Sequence, residues 1–376
     1  VKRHTIQPRD EWRRRIEAQG LVFHSSHTGD YWGEGTYYEF TAAEAAAIEA
    51  ATTELHARCV DAVRSVIASR RYAELGLDPL AIELVEQSWR DAPPSLYGRM
   101  DLAFGPDGVP KLLEYNADTP TSLLEGGVVQ WTWLADCFPE LDQANAIHTQ
   151  LLETWRSLGP QLGEIVHFGH VDDIEDEMTV GYLRDTAEQV GITTVDIAME
   201  SIGWDHARRV LVDLEGRPIR TLFKLYPWEG LVTDGLAPAL PRTHVTWLEP
   251  AWKMILSNKA ILPILWELFP GHPNLVAASR EPDRVGDTWV KKPLLGREGS
   301  NVTVIAPDGA ATTPGPYHDR GFVYQAYAEL GAHDGMRPVV GSWLIGGVAA
   351  GIGIRETDGY ITSNTARFVP HVVRQG

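Results

Sequence analysis

Cysteine is almost absent: Cys59 and Cys137 are the two in 376 residues. That is too few for a disulfide framework or a thiolate metal site, and both fall in helix-like runs that read as buried thiols rather than nucleophiles. Positive charge is also scarce. With 33 Lys and Arg against 51 Asp and Glu the formal net charge is −18, which excludes nucleic acid and anionic membrane surfaces as natural partners, since both are held by basic patches. A cationic substrate would be welcome, although acidity for solubility alone is the plainer explanation. Long apolar runs are missing as well. The uncharged stretch Pro338 to Ile354 is too short for a membrane span and carries five glycines, so it predicts a buried hairpin turning at Gly346-Gly347. The opening VKRHTIQPRDEWRRR has no apolar run behind it, and no repeat or low-complexity tract follows. The expectation is a cytoplasmic chain of two or three packed units with an ample core.

What is present is concentrated in Tyr97 to Ser122, YGRMDLAFGPDGVPKLLEYNADTPTS. Met100, Leu102 and Phe104 alternate with Arg99, Asp101 and Ala103; a Gly-Pro-Asp-Gly turn follows; Val109, Leu113 and Tyr115 then alternate with Leu112, Glu114 and Asn116. Apolar residues are even-numbered before the turn and odd-numbered after it, with Lys111 as the exception. An even-length loop at Gly105 to Gly108 pairs residues of opposite parity, so Arg99, Asp101, Glu114 and Asn116 share the polar face. Two carboxylates and an amide carbonyl gathered there suit magnesium with substrate phosphates. A solvated face with an ordinary Arg-carboxylate pair fits the hairpin alone equally well. Just beyond, Asp118 or Thr119 as N-cap and Pro120 as first residue predict a helix through Leu123 to Leu134, whose N-terminus would form an anion site.

Before the hairpin, residues 1 to 40 form an aromatic-rich lead-in that includes a His24 to His27 pair, read as a loop or packing feature more readily than as a metal site. Thr41 predicts a helix cap, with helix to about Ala73; Asp78 and Pro79 predict another from Leu80 to Trp89. After it come a helix around Asp142 to Leu158, a strand Ile165 to Phe168, a helix Glu177 to Val190 ended by Gly191, and a strand Thr193 to Ile197. That order is a βαβ unit and favours a small parallel sheet. In the acidic loop between them, Asp172, Asp173, Glu175 and Asp176 suit a polyamine or other amine, or simply the dipole of a solvated helix start. Strands are expected at Arg209 to Asp213 and Thr221 to Tyr226. Trp228 and Glu229 follow, as pocket lining or corner packing.

Trp252 to Phe269 predicts a helix kinked near Pro263 and contains Lys259. Strands Thr288 to Leu295 and Asn301 to Ile305 flank the loop Gly296-Arg297-Glu298-Gly299-Ser300. A loop between two strands is neither a Walker P-loop nor a Rossmann fingerprint, yet its free NH groups can close over phosphates with a lysine from the preceding strand. Lys292 is favoured over Lys291 because the Lys-Pro step ends the strand. Phe322 to Tyr327 and Gly351 to Glu356 predict further strands, and Arg355 and Arg367 are cations in an apolar sheet region that need acids or a phosphate, unless they form surface ion pairs.

In order along the chain, YGRMDLAF, LLEYNADTPTSLLE, VVQWTWL, GYLRDTAEQ, LFKLYPWE, SNKAILP, WVKKPLLGREGSNV, VYQAY, GIGIRE and ARFVPH resemble the synthetase domain of glutathionylspermidine synthase and its stand-alone relatives in the ATP-grasp superfamily, from about residue 10 onward. The resemblance implies an α+β and α/β architecture: an ATP-grasp antiparallel core sheet from 1–158 and 329–376, a Rossmann-like pre-ATP-grasp unit at 159–250, and a lid at 251–328. It implies two magnesium ions on Asp101, Glu114 and Asn116, and Arg99 and Arg367 at the transferring phosphate. ATP would be held by Lys259, Lys292, the loop with Gly296, Gly299 and Ser300, and Gln325 to Tyr327, while Thr119 and Ser122 contact the acid. The bifunctional members also carry an N-terminal cysteine amidase domain, to which nothing in these residues corresponds, so no hydrolytic half-reaction is expected. The activity expected is ATP-dependent joining of a small carboxylic acid or peptide to an amine or polyamine through an acyl phosphate. A phosphotransferase that stops at a phosphorylated product and a non-catalytic nucleotide-binding module are the alternatives.

Overall fold

The computed structural model describes residues 1–26, 29–317 and 320–375. Its centre is a five-stranded antiparallel sheet ordered Arg367–Val369, Val348–Thr357, Arg337–Ile345, Tyr97–Phe104 and Pro110–Asn116. Gly346 and Gly347 take φ of 59° and 81°, the left-handed pair that a tight hairpin turn requires. One face of the sheet is apolar: Met100, Leu102, Val340, Ile352 and Ile354 pack under the helix Ala42–Ser69 through Leu55, Cys59 and Val63. That helix begins with a capping box in which the Thr41 hydroxyl accepts from the Glu44 backbone and Glu44 answers the Thr41 backbone, satisfying donors that a helix start leaves open. Burial pushes the Cys59 thiol up to about 12, as fits a packing role.

A second antiparallel sheet stands opposite, ordered Ala278–Ser279, Phe322–Ala326, Trp289–Pro293, Thr303–Ala306 and Gly309–Thr312. The third is parallel: Thr246–Leu248, Thr221–Leu225, Ile165–His170 and Thr193–Ala198, with the helix Ile174–Gln189 linking the last two. A small sheet of Lys2–Thr5, Thr36–Thr41 and His371–Arg374 binds the lead-in to the final strand.

Several expectations need correction. The hairpin keeps opposite parity at Arg99 with Asn116 and Asp101 with Glu114, but a bulge beyond Asp101 pairs Leu102 with Leu112. One extra residue on the second strand reverses the faces beyond it, so Leu112 joins the core and Leu113 turns to the cleft. Asp118 caps no helix: its carboxylate takes the buried Lys224 ammonium at 2.6 Å and the Trp228 backbone NH at 3.0 Å. The chain stays extended past Pro120 and turns helical only after Ser122, through a π-turn at Glu125–Val129 into Gln130–Cys137. The anion-binding helix end expected beside Asn116 is therefore not formed there.

The expected helix of 252–269 breaks at Asn258, not Pro263. Asn258 spends its side chain on the Leu75 carbonyl and the Ala260 NH, and Pro263 sits in the first turn of Ile261–Leu268, where a missing NH costs nothing. The helix expected from Asp142 begins at Ile147, because Asp142 and Asn145 bridge to strand residues Val373 and Gly351. Val210–Val212 pairs with Gly203–Asp205 in a separate hairpin rather than joining the parallel sheet. Among the described residues no helix is long and apolar enough to cross a membrane.

Candidate active site

Strand alternation puts Arg99, Asp101, Glu114 and Asn116 on the sheet face turned away from the long helix. Arg99 donates from Nε and Nη2 to the two Asp101 oxygens at 2.7 and 3.2 Å, and from Nη1 to the Thr121 carbonyl at 2.7 Å. Arg355 adds a bond to Asp101 Oδ2 at 2.8 Å. The Asn116 amide donates to Glu114 Oε1 at 3.1 Å and reaches Asp101 Oδ2 at 3.5 Å, so three oxygen-bearing side chains converge on one point. Burial works to raise the Glu114 carboxyl, but Lys259, 3.0 Å away, and Lys292 outweigh it and hold it well below the usual carboxylate range. Room for the Arg99 stem comes from Gly341 on the neighbouring strand, where a Cβ would stand 2.9 Å from Arg99 Cδ. The Trp343 ring lies 5.6 Å from the guanidinium.

The two antiparallel sheets bound a cleft of about 840 Å³. Its polar end holds Lys259, Lys292, Glu114, Asp101 and Arg355; its apolar wall is Leu113, Val290, Val304, Leu330 and Val339. Lys292 donates to the Leu113 carbonyl at 2.9 Å and the Gln325 amide oxygen at 2.8 Å, and Gln325 donates on to the Leu112 carbonyl. Burial pulls the Lys292 ammonium down to about 8 against the pull of Glu114. Gly296, Glu298, Gly299 and Ser300 of the glycine loop roof this cleft together with Tyr327, Tyr360 and Thr362. Gly299 has φ of 69°, and a Cβ there would come within 2.8 Å of the Thr362 carbonyl.

A second cavity of about 1660 Å³ adjoins the first and shares Glu114, Lys259, Gly296, Glu298, Gly299, Arg355 and Thr362 with it. Its walls bring Arg99, Asn116 and Thr119 together with Asp173, Glu175, Asp176 and Glu229. Asp173 caps its helix by accepting from the Glu175 and Asp176 NH groups. Burial, then Glu125, Asp173, Glu298 and Asp176, push the Glu175 carboxyl up to about 7, and burial and Asp173 push Asp176 up to about 6. Arg297 crosses from the glycine loop to Thr119 Oγ1 and Glu229 Oε1, both at 3.1 Å.

Four expected residues lie elsewhere. Arg367 pairs with Glu356 on the opposite sheet face, in a cluster with Arg3 and Tyr38, so it does not join Arg99. Trp228 is 1% exposed and donates from its indole to the Glu249 carbonyl; it is corner packing. Asp172 is exposed and lines neither cavity. Ser122 is absent from both walls and contacts Tyr31 instead. His27 lies outside the described residues, and His24 is engaged by Ser25 and Glu17. No grouping of three or more His, Cys, Asp and Glu ligands occurs among the described residues, so any metal would rest on the Asp101, Glu114 and Asn116 oxygens with outside ligands. Leu113 and Thr362 were not read as site residues from the sequence, and of the glycine loop the backbone was read but not the Arg297 and Glu298 side chains. A shifted register hid Leu113, and no short-range pattern marks Thr362.

Two antiparallel sheets closing on a cleft, with a parallel unit at its side, define an ATP-grasp protein. Its fold matches that of a glutathione synthetase-like effector from Globodera pallida with a TM-score of 0.60 at 10% identity, covering 97% of this chain and 96% of that one. By sequence, the description "Glutathionylspermidine synthase preATP-grasp" matches residues 3–374. A Haemophilus influenzae protein named as a candidate acid–amine ligase is 42% identical, over 92% of each chain. The trypanothione synthetase of Crithidia fasciculata is 28% identical over 84% of this chain, and the bifunctional glutathionylspermidine synthetase/amidase of Escherichia coli 26% identical over 92%. The chain spans 53% and 61% of the length of those two relatives. The chain belongs to the glutathionylspermidine synthase family, a family of carbon–nitrogen ligases.

Proposed function

We propose that the protein joins a carboxylic acid or peptide to an amine or polyamine at the expense of ATP, through an acyl phosphate. The observation that carries this is the shared throat: a cleft that holds Lys259, Lys292 and Arg355 opens, past Glu114, Lys259 and Arg355, into a cavity whose far wall carries Asp173, Glu175, Asp176 and Glu229. A triphosphate belongs with the cations of the first and an ammonium with the acids of the second.

In this reading the apolar wall and Tyr327 receive the adenine, Lys259 and Lys292 the phosphates, and the loop from Gly296 to Ser300 closes over them and excludes water. Gln325, already bonded to Lys292, orients that lysine. Asp101, Glu114 and Asn116 fit magnesium because they are hard oxygen donors converging beside phosphate-binding lysines; bound there, the ion would neutralise charge on the phosphates. Arg99 and Arg355 face the throat, where the substrate carboxylate oxygen bonds to the γ-phosphorus and the bond to ADP breaks. Thr119 and Arg297 lie beside the acid. The amine, held by Glu175, Asp176 and Glu229, gives a proton to one of these carboxylates and attacks the acyl carbon; the carbon–phosphate oxygen bond breaks, and amide and phosphate leave. Positioning and charge stabilisation supply the acceleration. Arg367, paired on the far sheet face, is assigned no part.

The test is a screen of acids and amines for ADP release with product mass confirmed, repeated with hydroxylamine in place of the amine. Amine-dependent ADP release and a trapped hydroxamate are expected. ADP release with a stable phosphorylated product and no need for amine would replace this reading with a phosphotransferase.

A further inference from the structure

Arg99 is held from two sides. Asp101 takes Nε and Nη2, and the Thr121 carbonyl takes Nη1 at 2.7 Å. The aim of the guanidinium therefore depends on where that carbonyl points, which is set by the next residue. Ser122 has φ of 67°, a left-handed conformation that a residue with a side chain adopts only when its surroundings hold it there.

Two contacts hold it. The Ser122 carbonyl accepts the Gly126 NH that opens the following helix, and the Ser122 hydroxyl lies 3.1 Å from the Tyr31 hydroxyl. The phenol has one proton and gives it to Glu125 Oε1 at 2.7 Å, so in the contact with Ser122 the serine donates and Tyr31 accepts. Glu125 is buried on the π-turn, which fixes the far end of the chain of bonds. Tyr31 is itself anchored: its NH donates to the His24 carbonyl, and its carbonyl accepts the Phe368 NH from the edge strand of the central sheet. A residue of the lead-in thus ties the Thr121-Ser122 turn to the sheet that carries Arg99.

We propose that Tyr31 is a positioning residue for Arg99, acting through Ser122 and the Thr121 carbonyl. Tyr31, Ser122 and Glu125 line neither cavity, whereas Thr121 and Arg99 line the second. The proposal rests on the ligase reading for its kinetic consequence but not for its structural one.

Tyr31→Phe keeps the ring against Phe23, 5.5 Å away, and removes the hydroxyl. The expected result is a fall in kcat of about tenfold to a hundredfold, the scale of a misplaced reacting group, with the ATP dissociation constant unchanged. Ser122→Ala should do the same. Because glycine takes positive φ without help, Ser122→Gly in the Tyr31→Phe background should restore part of the kcat, which a general loss of stability would not allow. A native kcat in Tyr31→Phe, or a loss matched by the folded fraction and not recovered by glycine, overturns the proposal. Should no acid and amine pair support turnover in the parent protein, the ligase reading fails separately. A crystal structure of Tyr31→Phe then decides alone: an unchanged Ser122 φ and an intact bond from Arg99 to Thr121 refute positioning by Tyr31.

Discussion

At the scale of single residues, the site is a balance of buried charges. Glu114 sits between Lys259 and Lys292 and belongs to both cavities. Glu114→Ala should lower amine-dependent ADP release by at least about a hundredfold, the order seen when a preorganised charge contact is removed, while circular dichroism shows the fold intact; undiminished turnover would remove Glu114 from the mechanism. The second cavity should respond to pH. Glu175 and Asp176, raised to about 7 and about 6, are neutral in acid and charged above those values, so KM for a cationic amine should fall as pH rises through that interval. A flat amine KM between the two limits counts against their role. The sign for stability is opposite: the fold retains protons that the unfolded chain releases from 4.5 upward, so this contribution declines as pH rises to about 7, and Glu175→Gln should flatten that part of the stability profile. Arg99, Asp101, Glu114 and Asn116 were legible in the sequence because strand parity acts locally. Arg367 was not. Its side of the sheet depends on a register with Val348–Thr357, which nothing in ARFVPH encodes.

Elements show where local signals prevail and where distant ones override them. Thr41 and Asp78 start helices as their side chains dictate, and Gly346-Gly347 turns as expected. Asp118 has the same capping chemistry, yet a buried Lys224 claims its carboxylate, and leaving that lysine buried without its partner would cost more than one helix cap returns. Distant partners also meet the bulge and the π-turn: the Leu112 NH donates to the Asn274 carbonyl, Lys292 to the Leu113 carbonyl, and Gln130, just past the π-turn, to the Ile352 carbonyl. Such partners give two tests. Gly341→Ala places a methyl against Arg99 and should lower kcat about tenfold or more with the fold retained; an unaltered kcat would show that Arg99 tolerates displacement. Glu249 accepts from Ser95, the Leu96 and Tyr97 NH groups and Lys253, fastening the first hairpin strand beside the parallel sheet. Glu249→Ala leaves Lys253 buried without its carboxylate and should cost about 3–5 kcal/mol in denaturant unfolding. A loss below about 1 kcal/mol would mean that water or rearrangement fills the gap.

For the molecule as a whole, the order of strands and helices announced a mixed fold with a βαβ unit, and the glycine loop lies between two strands, as its sequence context announced. What could not be read locally was the meeting of the glycine loop with Tyr360 to Thr362 and of both with the central sheet, since these segments are far apart in sequence. A ligand seated between two sheets links them. ATP at about a hundred times its dissociation constant should therefore raise unfolding stability by about 2.7 kcal/mol, seen as a higher melting midpoint. That shift should shrink in Lys259→Ala and Lys292→Ala; an equal shift in both variants would place the nucleotide elsewhere.

The middle strand of the central sheet, Arg337–Ile345, pairs with Tyr97–Phe104 on one side and Val348–Thr357 on the other. On the ribosome the hairpin with Asp101 and Glu114 emerges long before the strand Arg337–Ile345 and must wait, its sheet edge unpaired, until that strand has been made. During that interval the nascent protein presents an adhesive β-edge and buried-type charges to water. Translation stopped between the glycine loop and residue 337 would release a chain in which the parallel unit and that loop are already made but the platform under Arg99 has not closed. Chaperone dependence and inclusion-body formation should accordingly be greatest for products truncated between the glycine loop and Arg337.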